Sequence, residues 1–111
     1  MLTKEIAKSM IDDCLLRMKL FKARNHENMS TLHNNNLCVR VYTTGMDGGG
    51  LSTYGKYALI GLEDHYECHH DYLYIHREQV VYGARKELVE SVTFIPYEAI
   101  VAIECSPTTY I

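Results

Sequence analysis

The chemically richest stretch of the sequence lies between residues 63 and 76, where imidazole, thiol and carboxylate groups are concentrated. Imidazole and thiolate are the ligands that zinc prefers, and the spacing of His65 and Cys68 suits two ligands of one ion. His69 and His70 are the other candidate ligands, but adjacent side chains on a strand point to opposite faces. The cluster is therefore interpreted either as a zinc site or as a polar loop tip. The loop is favoured because no second closely spaced pair follows, and no other cofactor is indicated.

A glycine-rich stretch at residues 50–56 matches the phosphate-loop spacing G-x-x-x-x-G-K. The next residue, Tyr57, cannot provide the short hydroxyl that such a loop offers to magnesium. The segment that follows has the pattern of a strand, so no helix N-terminus is expected beside a phosphate. We interpret the stretch as a hairpin loop. Because no nucleophilic or acid–base arrangement is found elsewhere either, the sequence predicts a protein that is not an enzyme.

The chain has nine tyrosines and no tryptophan. Tyrosine is common at binding surfaces because it buries a large ring while its hydroxyl stays hydrated. Tyr72 and Tyr74 should share one face of a strand, and Tyr54, Lys56 and Tyr57 adjoin the glycine-rich loop. These five residues are the candidate ligand-binding set, for a subunit contact, for the stacking of nucleic-acid bases or for a small anionic ligand. The alternative is the ordinary preference of tyrosine for half-exposed sheets.

Charge is distributed unevenly along a chain whose formal net charge is −3. Residues 1–36 carry an excess of basic side chains and residues 37–111 an excess of acidic ones. An acidic strand region disfavours a nucleic-acid backbone lying across it. If nucleic acid binds at all, the expected residues are the basic side chains near the end of the N-terminal helical pattern, which otherwise complement the helix dipole. They are Arg17, Lys19, Lys22 and Arg24.

Hydrophobic periodicity divides the chain into two parts. Apolar residues fall at helical spacing over residues 3–24, which predicts an amphipathic helix, and the polar, asparagine-rich residues 25–36 are expected to form a linker. From residue 37 to residue 105 the period is two, which predicts strands. We expect one domain over residues 1–111, with five strands at residues 37–42, 54–62, 71–75 (with 80–82 as an extension or a separate short strand), 91–95 and 99–104, a polar interruption at 63–70, and a loop or helical turn at 84–91.

Pro96 separates the last two apolar strand segments. Proline has no amide donor, so a strand ladder cannot continue through it, and about three residues are too few for a wide loop. A sharp bend that carries the chain between sheet edges is the economical solution, as in a small barrel. The predicted class is therefore α+β, with an N-terminal helix followed by a small, antiparallel, five-stranded, strongly bent sheet or barrel.

An N-terminal helix followed by five short strands, the last two joined by a tight turn within residues 94–103, resembles the Sm-like small barrels, relatives of the SH3-like barrels. The resemblance covers residues 1–24 and 37–105. It implies a ring-forming subunit whose fourth and fifth strands pair with neighbouring subunits, and such proteins often bind RNA.

These observations together predict a non-enzymatic binding or assembly module that forms homo-oligomers. The alternatives are a protein that sequesters a small anionic ligand such as a nucleotide, and an RNA-binding Sm-like protein. The expected partner is a second copy of the chain, with a protein partner or a small anionic ligand as further candidates and nucleic acid disfavoured. The early charged residues and the lack of a bilayer-length apolar run favour a cytoplasmic protein without a membrane partner.

Overall fold

The computed structural model describes residues 2–25, 37–44 and 57–107. This part of the chain forms one helix and six strands, arranged as two three-stranded antiparallel sheets. The first sheet has the order β2-β1-β6 and the second has the order β3-β4-β5. The elements are α1 (Lys4–Arg24), β1 (Cys38–Thr43), β2 (Tyr57–Gly61), β3 (His65–Cys68), β4 (Tyr72–Tyr82), β5 (Lys86–Pro96), a 3-10 turn (Tyr97–Ala99) and β6 (Ile100–Cys105).

Helix α1 confirms the amphipathic N-terminal helix. It begins at Lys4 rather than at residue 3 because the Thr3 hydroxyl caps it, accepting a hydrogen bond from the Ile6 backbone N–H at 3.2 Å. At its other end, the Asn25 side-chain amide donates to the Phe21 carbonyl at 2.8 Å. One face of the helix is buried against strands of both sheets, through Ala7, Ile11, Cys14 and Met18.

The core lies between the two sheets and the helix. Its strand residues alternate with residues that are partly or fully exposed, as expected for sheets that are covered on one side only. Each fully buried aliphatic side chain contributes about 1.5–3 kcal/mol relative to an exposed one. The fully buried aliphatic residues of the strands are Val39, Val41, Ile60, Leu73, Ile75 and Ile95.

The prediction of five strands in one bent sheet or barrel is wrong in detail. The described residues form six strands in two sheets, with no closed barrel. The extra strand is β3, which occupies the segment expected to be a polar interruption. Its outward residues are His65 and Glu67, whereas Tyr66 and Cys68 are only partly buried against the core, so no strongly apolar residue marked it.

Residues 80–82 extend the predicted strand at 71–75 and belong with it to the single strand β4, as one of the two alternatives had it. The predicted loop or helical turn at 84–91 is wrong, because most of it is the first half of β5. The two strands form a long hairpin whose paired residues extend from Tyr72 and Pro96 to Tyr82 and Lys86. Both faces of the hairpin are exposed near its tip, so the sequence there does not alternate between apolar and polar residues. The strand pattern was therefore not recognisable.

The corner at Pro96 is confirmed. Strand β5 ends at this residue, the 3-10 turn follows, and β6 begins at Ile100 in the other sheet. Tyr97 is buried beneath the corner, and its hydroxyl donates a hydrogen bond of 2.5 Å to the His69 carbonyl. The corner is thereby attached to the segment between β3 and β4.

Some predictions fall outside the described residues. These include the linker after residue 25 and the glycine-rich loop, with Tyr54 and Lys56. Within the described part of the chain, no helix is both long enough and apolar enough to cross a membrane.

Candidate functional site

The outer face of the β3-β4-β5 sheet presents histidine, tyrosine and carboxylate side chains. Along β4, Leu73 and Ile75 are buried, so the alternate residues point away from the core. Residues directly opposite each other on antiparallel strands share a face, which extends this surface to both neighbouring strands. We define the outer face by His65 and Glu67 of β3, Tyr72, Tyr74, His76 and Glu78 of β4, and Glu90, Val92 and Phe94 of β5.

An aromatic cluster occupies one end of the outer face. The His69 ring, in the segment between β3 and β4, stacks on Tyr72 with centroids 4.7 Å apart. Phe94 contacts both Tyr72 and Tyr74, at centroid distances of 5.9 and 5.3 Å. The Phe94 side chain is nevertheless 61% exposed. The sheet therefore presents an apolar, aromatic surface to the outside.

Glu67 lies between two imidazoles beside this cluster. Its Oε2 is 2.7 Å from His65 Nε2, and its Oε1 is 3.1 Å from His69 Nε2. The hydrogen bond with His65 is the main cause that lowers the pKa of Glu67 below its ordinary value. The arrangement is an ionised carboxylate held by two imidazole groups.

The structure brings together two of the four predicted zinc ligands. His65 and His69 both contact Glu67, but Cys68 is partly buried against the core, where burial raises the pKa of its thiol. His70 is highly exposed, with its Nε2 3.8 Å from Asp71. Metal binding by these four residues stays a prediction, and it would require Cys68 and His70 to reorient.

A second group of ligand-type side chains was not identified from the sequence. Ligand atoms of His76, Glu78 and Glu90 all lie within 4.8 Å of one another. Glu90 is distant in the sequence and reaches the site only through the β4–β5 hairpin, in which it pairs with Glu78. The available signal was Gly83, a turn-forming residue midway between two strand-like segments.

The candidate ligand-binding tyrosines are divided between the two sheets. Tyr57 begins β2 and packs edge-on against Tyr42 of β1, with ring centroids 5.4 Å apart. Tyr72 and Tyr74 instead belong to the aromatic cluster of the outer face. Within the described residues these tyrosines therefore lie in two separate aromatic groups rather than in one shared site.

The basic end of α1 borders a groove of about 500 Å³ that is lined by Arg17, Arg24 and Cys105, among others. Arg17 Nε is 2.6 Å from Asp13 Oδ2, so an acidic neighbour already offsets its charge. Lys19 and Lys22 are exposed. These four residues supply a modest positive surface on the helix.

Comparisons with protein-family models, with curated proteins and with solved structures gave no match to this chain. The geometry of the fold and of the outer face is therefore the basis for a functional proposal.

Proposed function

We propose that the protein is a non-enzymatic assembly module whose copies associate edge to edge, with β5 of one copy against β6 of the next. The observation that carries this proposal is the position of the two strands. Among the described strands, β6 is outermost in one sheet, opposite β2, and β5 is outermost in the other, opposite β3. An outermost strand presents backbone donors and acceptors that another chain can pair with.

The β5 and β6 edges lie on different strands of one chain, so a contact between them joins unlike surfaces. Such a head-to-tail contact leaves a free β5 edge at one end and a free β6 edge at the other. Repetition of the contact gives a ring when the rotation closes and a filament when it does not. The resemblance to Sm-like proteins points the same way, since it implies subunit contacts through the last two strands.

Apolar side chains accompany both edges. Strand β5 exposes Val92 and Phe94, and β6 exposes Val101, which is 62% accessible. A groove of about 440 Å³ between α1 and β6 is lined entirely by apolar residues. Exposed apolar surface of this kind is typical of interaction sites. The groove residues are Leu2, Ile6, Met10, Ile100, Val101, Ala102 and Ile103.

The test is the solution mass, measured by size-exclusion chromatography with light scattering over a wide concentration range. We expect a multiple of the 12.8 kDa chain mass. Val101→Asp should weaken association by roughly tenfold or more, because a charge would be desolvated at the interface. Leu16→Asp is the matched control, since Leu16 is an exposed apolar residue of α1 that does not line the groove.

Two results would overturn the proposal. One is a strict monomer at every concentration. The other is an oligomer that Val101→Asp and Val92→Asp leave unchanged, because both residues lie on the strands that should form the contact.

Sequestration of a small anionic ligand such as a nucleotide is a second candidate, favoured by the stack of His69 on Tyr72. The ionised Glu67 beside that stack opposes an anion, so assembly is the preferred function. A thermal-shift screen with nucleotides separates the two, because a module that binds only protein should not respond.

RNA binding through the basic residues of α1 would appear as an electrophoretic shift that weakens steeply with salt.

A further inference from the structure

We propose that His76, Glu78 and Glu90 bind a divalent transition-metal ion, with zinc as the best chemical match, and that the ion fastens the β4–β5 hairpin. This site is distinct from the cluster at residues 65–70. It lies on the outer face, next to the aromatic cluster and toward the hairpin tip.

Strand register places two negative charges together at this site. Glu78 and Glu90 are directly opposite each other on β4 and β5. Like charges at such a cross-strand pair are destabilising unless something offsets them. A positive charge beside the two carboxylates would offset this repulsion, carried either by the His76 imidazole or by a bound metal ion. A zinc titration distinguishes the two arrangements.

The donor distances fit a small tetrahedral ion. Zinc binds imidazole nitrogen and carboxylate oxygen at about 2.0–2.2 Å, so two ligands in tetrahedral geometry are separated by roughly 3.3–3.6 Å. His76 Nε2 is 3.2 Å from Glu90 Oε1 and 4.0 Å from Glu78 Oε1. The second distance is longer than tetrahedral ligands need, so the Glu78 side chain, which is 56% exposed, would have to rotate toward the ion to complete the set.

The ligand types select the class of ion. A set of one imidazole and two carboxylates suits zinc and similar transition metals, whereas calcium and magnesium prefer oxygen ligands alone. His76 is 27% exposed, less than Glu78 at 56% and Glu90 at 62%. Three protein ligands leave a fourth position open to water on this exposed face.

His65 faces His76 across the β3–β4 pair, but we do not include it in the site. Its Nε2 is already 2.7 Å from Glu67. The His76 site and the cluster at residues 65–70 therefore predict different outcomes for a zinc titration. Variants of the cluster serve as controls for the His76 site.

The experiment is a calorimetric zinc titration of the chain without an affinity tag, followed by thermal unfolding with and without zinc. We expect one zinc ion per chain and a melting temperature that rises with zinc concentration. His76→Ala and the nearly isosteric Glu90→Gln should each weaken zinc affinity by roughly tenfold or more. Calcium should produce no comparable effect.

The matched controls are His65→Ala combined with His69→Ala, and Glu87→Gln. Glu87 is an exposed carboxylate of β5 whose side chain points to the opposite face from Glu90, near Arg85. Both controls should keep zinc affinity within about twofold of the parent chain, since neither removes a ligand. Cobalt in place of zinc should show no thiolate charge-transfer band, because Cys68 is not in the proposed set.

Three outcomes would overturn the site. The first is no saturable zinc binding, which would leave the His76–Glu90 contact as an ion pair only. The second is binding that is lost with the His65 and His69 variants and retained in Glu90→Gln, which would assign the metal to the other cluster. The third is a cobalt spectrum with thiolate ligation.

Discussion

The carboxylate of Asp64 lies 2.7 Å from Arg77 Nε and accepts a hydrogen bond of 2.5 Å from the Gly61 backbone N–H. Asp64 follows β2 in one sheet, whereas Arg77 belongs to β4 in the other. The ion pair therefore connects the two sheets where the chain passes between them. Gly61 is suited to this turn, since a Cβ at that position would be 3.1 Å from the Asp64 carboxylate.

We expect Asp64→Asn to lower the free energy of unfolding by about 2–3 kcal/mol, because it leaves a largely buried guanidinium without its counter-charge. The Asp64 side chain is 8% exposed and that of Arg77 is 24% exposed. Urea unfolding monitored by circular dichroism gives the value. Arg17→Ala breaks the exposed pair with Asp13 and should cause little change. Equal losses of unfolding free energy in Asp64→Asn and Arg17→Ala would contradict the prediction, because burial would then not strengthen the Asp64–Arg77 ion pair.

The Tyr97 hydroxyl should stabilise the corner between β5 and β6. Tyr97→Phe removes its hydrogen bond to the His69 carbonyl and should cost about 1 kcal/mol in unfolding free energy. Tyr97→Ala removes the buried ring as well and should cost about 3–5 kcal/mol. Tyr82→Phe is the control, because Tyr82 is 77% exposed. If Tyr97→Phe were as neutral as the control, the corner would not depend on this bond.

The parts of the fold that local chemistry determines were predictable from the sequence. The spacing of Ala7, Ile11 and Met18 follows from the helical repeat, and the bend at Pro96 follows from the missing amide donor. Strand β3 was not predictable, because its burial depends on the helix that packs against it. The division into two sheets was not predictable either, and the Asp64–Arg77 contact between them joins residues with no shared local pattern.

The candidate site divides in the same way. The concentration of histidines near His65 was visible in the sequence, and so was the shared face of Tyr72 and Tyr74. The contribution of Glu90 was not visible, because it depends on the hairpin register over eleven residues of each strand. Ligands brought together by register are recognised only when the pairing is known.

Helix α1 is attached to β3 by a hydrogen bond from the Tyr66 hydroxyl to Asp12 Oδ1. This bond is the main cause that lowers the pKa of Asp12, with Lys8 contributing further. Tyr66→Phe should raise the pKa of Asp12 toward its ordinary value of 3.8 and lower the free energy of unfolding by about 1 kcal/mol near neutral pH. Carboxyl NMR titration and urea unfolding measure the two effects.

The sign of the pH dependence follows from the direction of the Asp12 shift. A carboxyl whose pKa is lowered in the folded state stabilises it above the ordinary pKa, and this contribution is lost as the pH falls through the folded value. The difference between the parent chain and Tyr66→Phe should therefore shrink in acid. A constant difference at all pH values would mean that the hydroxyl acts through packing alone.

Alkaline pH should destabilise the protein through buried acids, and Cys14 and Tyr97 are the two with the clearest shifts. Burial raises the pKa of the Cys14 thiol from 9.0 to about 12, with the neighbouring Cys105 adding to the effect, and burial raises that of the Tyr97 hydroxyl from 10.0 to about 12. Both groups hold their protons more tightly in the folded state, so their stabilising contribution is complete below pH 9 and is lost as the pH rises toward 12. We expect the free energy of unfolding to fall above pH 9 by up to about 1.4 kcal/mol per pH unit for each group that titrates. Urea unfolding of the parent chain and of Cys14→Ala, each referenced to its own value at pH 7, provides the test. The variant should lose less stability than the parent chain above pH 9, although Cys38, Cys68 and Tyr97, whose pKa values burial also raises, still contribute. Identical alkaline profiles would show that the Cys14 thiol does not contribute.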